Sequence, residues 1–136
     1  MFEHFLRAQN PIYSNVLAEL RAGDKRSHWM WFIFPQLTAL GRSATALRYG
    51  LDDLAMAQGY LRHDVLGPRL IECTRTVLGV SGRTAHQIFG SPDDLKFRSS
   101  MTLFSRADPE QPVFADALAK YYGGIEDPRT VELLGG

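Results

Sequence analysis

The stretch His28-Trp29-Met30-Trp31-Phe32-Ile33-Phe34-Pro35-Gln36-Leu37 constrains this chain more than any other. It holds both tryptophans, and from Trp29 to Phe34 it carries no polar residue. A run that is apolar on every side belongs inside a core. Periodicity alone cannot separate a buried strand from a buried helix here. The aromatic residues favour a strand, yet no alternating apolar and polar run exists elsewhere to pair with it. The run is therefore read as a short buried helix. Pro35 stops it, because the residue before a proline avoids helical backbone angles.

The rest of the chain reads as short amphipathic pieces able to wrap around that run. Phe2, Phe5 and Leu6 recur at helical spacing. Asn10-Pro11 restarts the chain, and Ile12, Val16, Leu17 and Leu20 form one stripe that Gly23 is placed to end. Ser43 opens a helix toward Gly50, and Asp52-Asp53 opens another with Leu54, Ala57, Tyr60 and Leu61 inward. Asp64 is placed to cap a helix bearing Leu66, Leu70, Cys73, Val77 and Leu78, with Pro68 tolerated in its first turn. Thr84 caps a single turn that Gly90 ends. Ser91-Pro92-Asp93-Asp94 has the cap, proline and acids of a helix start, and Phe97, Met101 and Phe104 follow it. Asp108-Pro109-Glu110 and Asp127-Pro128 open the last two helices.

No repeat, low-complexity tract or long linker interrupts the 136 residues. The expectation is an all-α fold: a single compact domain over residues 1–136, with about eight short helices around a central aromatic helix. Fifteen basic and fifteen acidic residues balance to zero, which argues against wholesale binding to nucleic acid or to an anionic membrane. Within residues 1–50, Arg7, Arg21, Lys25, Arg26, Arg42 and Arg48 outnumber Glu3, Glu19 and Asp24, so a positive mouth can form near the tryptophans. Cys73 has no partner for an internal disulfide and sits among apolar neighbours, which suits a buried structural thiol in a reducing compartment. The N-terminus lacks the basic-then-apolar order of a signal peptide, and the tryptophan run falls far short of the ~20 residues that span a bilayer. The expected location is cytoplasmic.

Several of these blocks are long and unusual. They are Lys25 with the segment from His28 to Leu37, Tyr60-Leu61 with Leu66-Gly67-Pro68-Arg69-Leu70, and Ile88-Phe89-Gly90. Asp94, Lys96, Ser99-Ser100-Met101-Thr102-Leu103-Phe104, Tyr121 and the stretch from Asp127 to Leu134 complete the set. Through them the chain resembles, almost end to end, the bacterial domain-of-unknown-function 1810 family. The resemblance implies a small all-α fold and a bacterial cytoplasmic setting, and it implies no established activity. Members often carry the label calpastatin, but inhibitors of that kind are similar to disordered, charged repeats. An aromatic-rich core without repeats does not fit that label.

Two groups of residues could carry chemistry. Lys25, Arg26 and His28 lead into Trp29 and Trp31, and a cation beside indoles can bind a planar anionic ligand by charge and stacking. The plainer reading is a core helix with a solvated polar start and His28 bonded to backbone. Gln36, just past the proline, can offer its amide to a cleft or cap the carbonyls freed at the helix end. The second group is Asp94, Lys96, Ser99 and Ser100. On a helix Lys96 shares a face with both serines, so it could bind phosphate beside them, or activate a serine if desolvated. The order Lys-x-x-Ser is the reverse of the acyl-enzyme motif, and a polar outer face is the plain alternative. Arg48, Arg69 and Arg106 could add to an anion site if they converge, with Glu72 as a candidate carboxylate.

Metal binding is disfavoured, because His4, His28, His63 and His86 show no paired spacing and one cysteine makes no thiolate cluster. No phosphate loop or Gly-x-Ser-x-Gly elbow occurs, and no cofactor is expected. The leading expectation is a domain that binds an anionic, nucleotide-derived small molecule between the Lys25/His28/Trp29/Trp31 segment and the Lys96/Ser99/Ser100 helix. Hydrolysis of a glycosidic or phosphate bond in that ligand is its sharper form. The competing reading is a non-catalytic protein-interaction module whose aromatic block is structural core. Monomer and weak homodimer are both compatible with the sequence, and it names no protein partner. The orientation of Lys25 and Lys96 discriminates between the two readings. A shared cleft favours the ligand, and opposite surfaces favour the module.

Overall fold

Local backbone rules set most of the helix boundaries. The computed structural model describes residues 1–136 and has ten helices and no strand. They are α1 (Glu3–Gln9), α2 (Tyr13–Arg21), α3 (Met30–Ile33), α4 (Ala44–Arg48), α5 (Leu54–Arg62), α6 (Leu66–Leu78), α7 (Ala85–Phe89), α8 (Asp93–Ala107), α9 (Val113–Tyr122) and α10 (Pro128–Leu133), with a 3-10 turn at Thr38–Leu40. The side chains of Ser43, Asp53 and Asp127 each accept a backbone N–H at their helix start, and Thr84 with Gln87 forms a full capping box.

Four expected starts differ. α2 begins at Tyr13, after Ile12 and not at Asn10-Pro11, and Pro92 rather than Ser91 precedes α8, with no side-chain cap at either. At α6 and α9 a different side chain takes the free N–H groups. Asp64 does not cap α6; the His63 ring does, its Nδ1 accepting from Val65 N at 3.1 Å and Leu66 N at 3.2 Å. Asp108-Pro109-Glu110 forms a turn held by the Asp108 carboxylate, and α9 begins later at Val113, whose N–H reaches Gln111 Oε1. In both places a neighbouring side chain reaches the free N–H groups first.

One cluster of 30 buried apolar residues fills the interior. The fifteen-residue helix α8 runs through it, packed against α5, α7, α9 and α10, while α6 packs against α2, α5 and α9. The tryptophan run supplies a single helical turn, α3, beside α1. Trp29, Met30, Ile33 and Phe34 are buried there, with Phe34 edge-on to Phe89 and Phe97. Buried Gln9 fixes the turn by donating to Phe32 O at 2.7 Å, and Arg69 in turn donates to Gln9 Oε1.

α5 and α6 touch at a glycine. A Cβ on Gly67 would lie 2.0 Å from the Leu61 carbonyl oxygen, so only glycine permits that approach. After Pro35 the chain forms one isolated parallel bridge, Leu37 to Leu51. Its bonds run from Leu51 N to Gln36 O at 3.0 Å and from Thr38 N to Leu51 O at 2.9 Å. That bridge sets the position of Gln36. Between the two bridged residues the chain loops out through α4, none of whose five residues is fully buried.

Candidate functional site

Lys25 and Lys96 converge. The Lys25 N–H bonds to Ile88 O at 2.8 Å, which brings the loop before the tryptophans against the start of α8. There Asp93, the first residue of α8, lies between the two ammonium groups. Lys25 Nζ is 2.8 Å from Asp93 Oδ2, and Lys96 Nζ is 3.8 Å from Oδ1. Each lysine also stands over one tryptophan, Lys25 at 4.9 Å from the Trp29 ring and Lys96 at 5.2 Å from Trp31. Two lysine–tryptophan pairs thus share one carboxylate.

The two pairs differ in what they leave free. The Lys25 side chain is only 7% exposed and also donates to Ser27 O, so two of its three N–H donors are held by the protein. Trp29 is 2% exposed, and its indole N–H donates to Glu19 Oε1 at 3.0 Å. Glu19 accepts as well from Arg26 N, Ser27 N and Ser27 Oγ. Burial opposes ionisation of Glu19, but the bonds from Ser27, the Arg26 N–H and Trp29 outweigh it and hold the carboxyl at about 2. Lys25 and Trp29 therefore belong to a closed structural clamp. Lys96 does not: its side chain is 27% exposed, and 3.8 Å to Asp93 is beyond hydrogen-bond distance.

Lys96 faces a cleft lined by Met30, Trp31, Phe34, Gln36, Leu37, Gly41, Ala46 and Tyr49. Gln36 Oε1 is buried on its wall without a hydrogen-bond partner. Neither the Gln36 amide nitrogen nor the Tyr49 hydroxyl is bonded to another protein group. The cleft is shut down to a cavity of about 10 Å³, room for roughly one water. Arg42, next to Gly41, and Arg48, next to Tyr49, form no ion pair, and the Arg48 guanidinium lies 5.7 Å from the Tyr49 ring. Asp93 is the acid that reaches Lys96.

Of the nine residues singled out in the sequence, the structure brings Trp31, Gln36 and Lys96 together on this cleft. Lys25 and Trp29 stand behind it in the clamp. His28 is exposed and makes no hydrogen bond, so the backbone bond suggested for it is not formed. Asp94 turns away: its carboxylate lies 3.3 Å from His86 Nδ1, and Tyr122 OH donates to its carbonyl. Ser99 is buried and donates to Leu95 O, one helical turn back, and Ser100 is 0% exposed with its hydroxyl unpartnered. Neither serine borders the cleft.

The three arginines do not converge. Arg69 bonds Gln9 and Asn10, Arg106 forms a two-bond pair with Glu126, and Arg48 stays beside Tyr49. Glu72 accepts from Tyr13 OH, and burial pushes the neighbouring Cys73 thiol up to about 12. No group of three side chains is arranged to hold a metal ion. Sequence reasoning missed Asp93 and Tyr49. Asp93 was visible only as a helix-start acid, and Tyr49 carried no local signal.

An all-helical domain with one shut aromatic cleft is the class that this fold and site define. The chain belongs to the family described as "Protein of unknown function (DUF1810)", whose model matches residues 1–134. It is similar to the conserved hypothetical protein Rv1873 from Mycobacterium tuberculosis, known from a crystal structure. The two share 59% sequence identity and superpose with a TM-score of 0.97, over 98% of this chain and 96% of that one. No curated protein matches the chain. No helix is long and apolar enough to cross a membrane.

Proposed function

We propose that this protein binds a planar, anionic, nucleotide-derived small molecule in the cleft of Trp31, Gln36, Tyr49 and Lys96. One observation carries the reading: the Lys96 ammonium and the Gln36 carboxamide, both without a hydrogen-bond partner, line one cleft beside an indole. Buried polar groups are normally paired, so an unpaired acceptor beside an underused cation marks a place where a ligand completes the set. Lys96 favours an anion, and Trp31 and Tyr49 favour a ring. The outer wall is α4 with Gly41 and Tyr49; because no α4 residue is fully buried, it is the wall that yields to admit a ring.

The reading is binding and not turnover. No carboxylate, serine or histidine lines the cleft, and the two groups there that could attack or move a proton, Lys96 and the Tyr49 hydroxyl, are read as ligand contacts. The setting is read as bacterial cytoplasm, supported by the unpaired buried Cys73 and by the mycobacterial relative.

Thermal-shift measurements with nucleoside monophosphates and sugar phosphates test it, because a ligand of the native state raises Tm by mass action. A nucleoside monophosphate is expected to raise Tm by several degrees, and Lys96→Ala to remove the shift while folding normally. No shift with any nucleotide at millimolar concentration would overturn the reading in favour of the interaction module.

A further inference from the structure

The cleft's polar groups are unequal in what they can recognise. Lys96 only donates, while the Gln36 carboxamide offers one acceptor and two donors on a flat edge. Met30, Phe34, Leu37 and Ala46 around them offer no side-chain polar group. The Tyr49 hydroxyl also lines the cleft and can accept, but Gln36 Oε1 is the acceptor that is both buried and without a protein partner when a ligand N–H enters. The Gln36 backbone is held on both sides, since Pro35 fixes the preceding turn and Gln36 O accepts from Leu51 N at 3.0 Å. The carboxamide is thus presented by a backbone held in place, with its Oε1 buried and without a protein partner.

We infer that Gln36 is the specificity-determining residue of the site. It selects a ring edge that carries an N–H donor beside an acceptor, as in a 6-aminopurine or a ring carboxamide. The inference rests on the cleft reading above. An amide side chain pairs with such an edge through two parallel hydrogen bonds, donor to acceptor and acceptor to donor. A ring with acceptors alone, or with neither group, leaves Oε1 buried and unpaired in the complex just as in the free protein. Its binding then rests on the Lys96 charge and the aromatic walls. Sites built around a hydrogen bond reject analogues that lack it far more strongly than apolar pockets reject a missing methylene.

The test titrates the full chain, followed by calorimetry, with three probes. Adenosine 5′-monophosphate presents donor and acceptor, purine riboside 5′-monophosphate lacks the exocyclic amine, and phenyl phosphate has neither. Adenosine monophosphate is expected to bind at least about tenfold more tightly than the other two. The ring carboxamide arm, nicotinamide mononucleotide, is expected to match it. In Gln36→Met the preference should fall to within about twofold while Lys96-dependent binding persists; the melting curve of that variant checks its fold. Equal affinity for all three probes, or a preference retained in Gln36→Met, overturns the inference and leaves the cleft reading standing. Absence of binding by every probe removes both.

Discussion

Lys25 Nζ lies 2.8 Å from Asp93 Oδ2 in a site where the lysine side chain is 7% exposed. This ion pair ties the loop before the tryptophans to the first residue of α8. It also places the second lysine, Lys96, at the edge of the cleft.

The pair should respond asymmetrically to mutation. Asp93→Asn leaves a nearly buried ammonium without its counter-charge and is expected to cost about 3 kcal/mol. Lys25→Met leaves Asp93 with Lys96 still in reach, so it should cost about half as much. The double variant should cost less than the sum, with a coupling of about 1–2 kcal/mol in a urea-unfolding cycle. Additivity would show that the two charges do not interact.

Glu19 sets an acid limit. Its carboxyl titrates at about 2 in the folded protein, against an ordinary 4.5. Across that window the unfolded chain binds more protons, so stability rises with pH and its Glu19 part is complete above about 4.5. It is lost as pH falls toward 2 and the protonated group releases the Ser27, Arg26 and Trp29 donors. Glu126, lowered by its bond from Arg106, adds to the same slope. Urea midpoints measured down to low pH should therefore fall less steeply in Glu19→Gln than in the parent chain, without becoming flat.

Gly67→Ala should be among the most damaging single-methyl changes in the chain. Alanine normally strengthens a helix, but here the added Cβ meets the Leu61 carbonyl at 2.0 Å and must push α5 from α6. A loss of about 2–3 kcal/mol is expected from overpacking, read as a lower denaturation midpoint. A neutral result would mean that the two helices separate freely.

The cap of α6 separates two neighbouring residues. His63→Ala removes the acceptor of the Val65 and Leu66 N–H groups and should cost about 1 kcal/mol. Exposed Asp64 makes no cap, so Asp64→Ala should stay within about 0.5 kcal/mol. Thermal melts of the two variants side by side decide which residue caps.

Much of the fold could be read from local chemistry. Caps at Ser43, Asp53, Thr84 and Asp127, and the stripe of α2, depend on residues within one turn of each other. The site was less legible because it depends on contacts distant in sequence. Asp93 and Asp94 are adjacent, but each step along a helix turns about 100°. Only the docking of the Lys25 loop decides that Asp93 meets the lysines while Asp94 meets His86. Trp29 and Trp31, two residues apart, likewise face different ways, so one is sealed and one lines the cleft. The shared face of Lys96, Ser99 and Ser100 was visible, but not that α8 has helices packed around it, which bury the serines. Tyr49 joins the site because the Leu37–Leu51 bridge folds α4 back over Trp31, and nothing near Tyr49 announces that.

None of the α4 residues is fully buried, so little apolar contact holds that helix, and it walls the cleft that Trp31, Gln36 and Lys96 share. Any guest must wait for the fraction of molecules in which that wall stands open, and its apparent Kd is the intrinsic value divided by that fraction. Changes that loosen α4 without touching the lining should thus tighten binding while leaving the core's resistance to urea intact. Changes that fasten it should do the opposite. Affinity at this site would then be tunable from the protein surface, at residues such as Thr45 and Leu47 that line no part of the cleft.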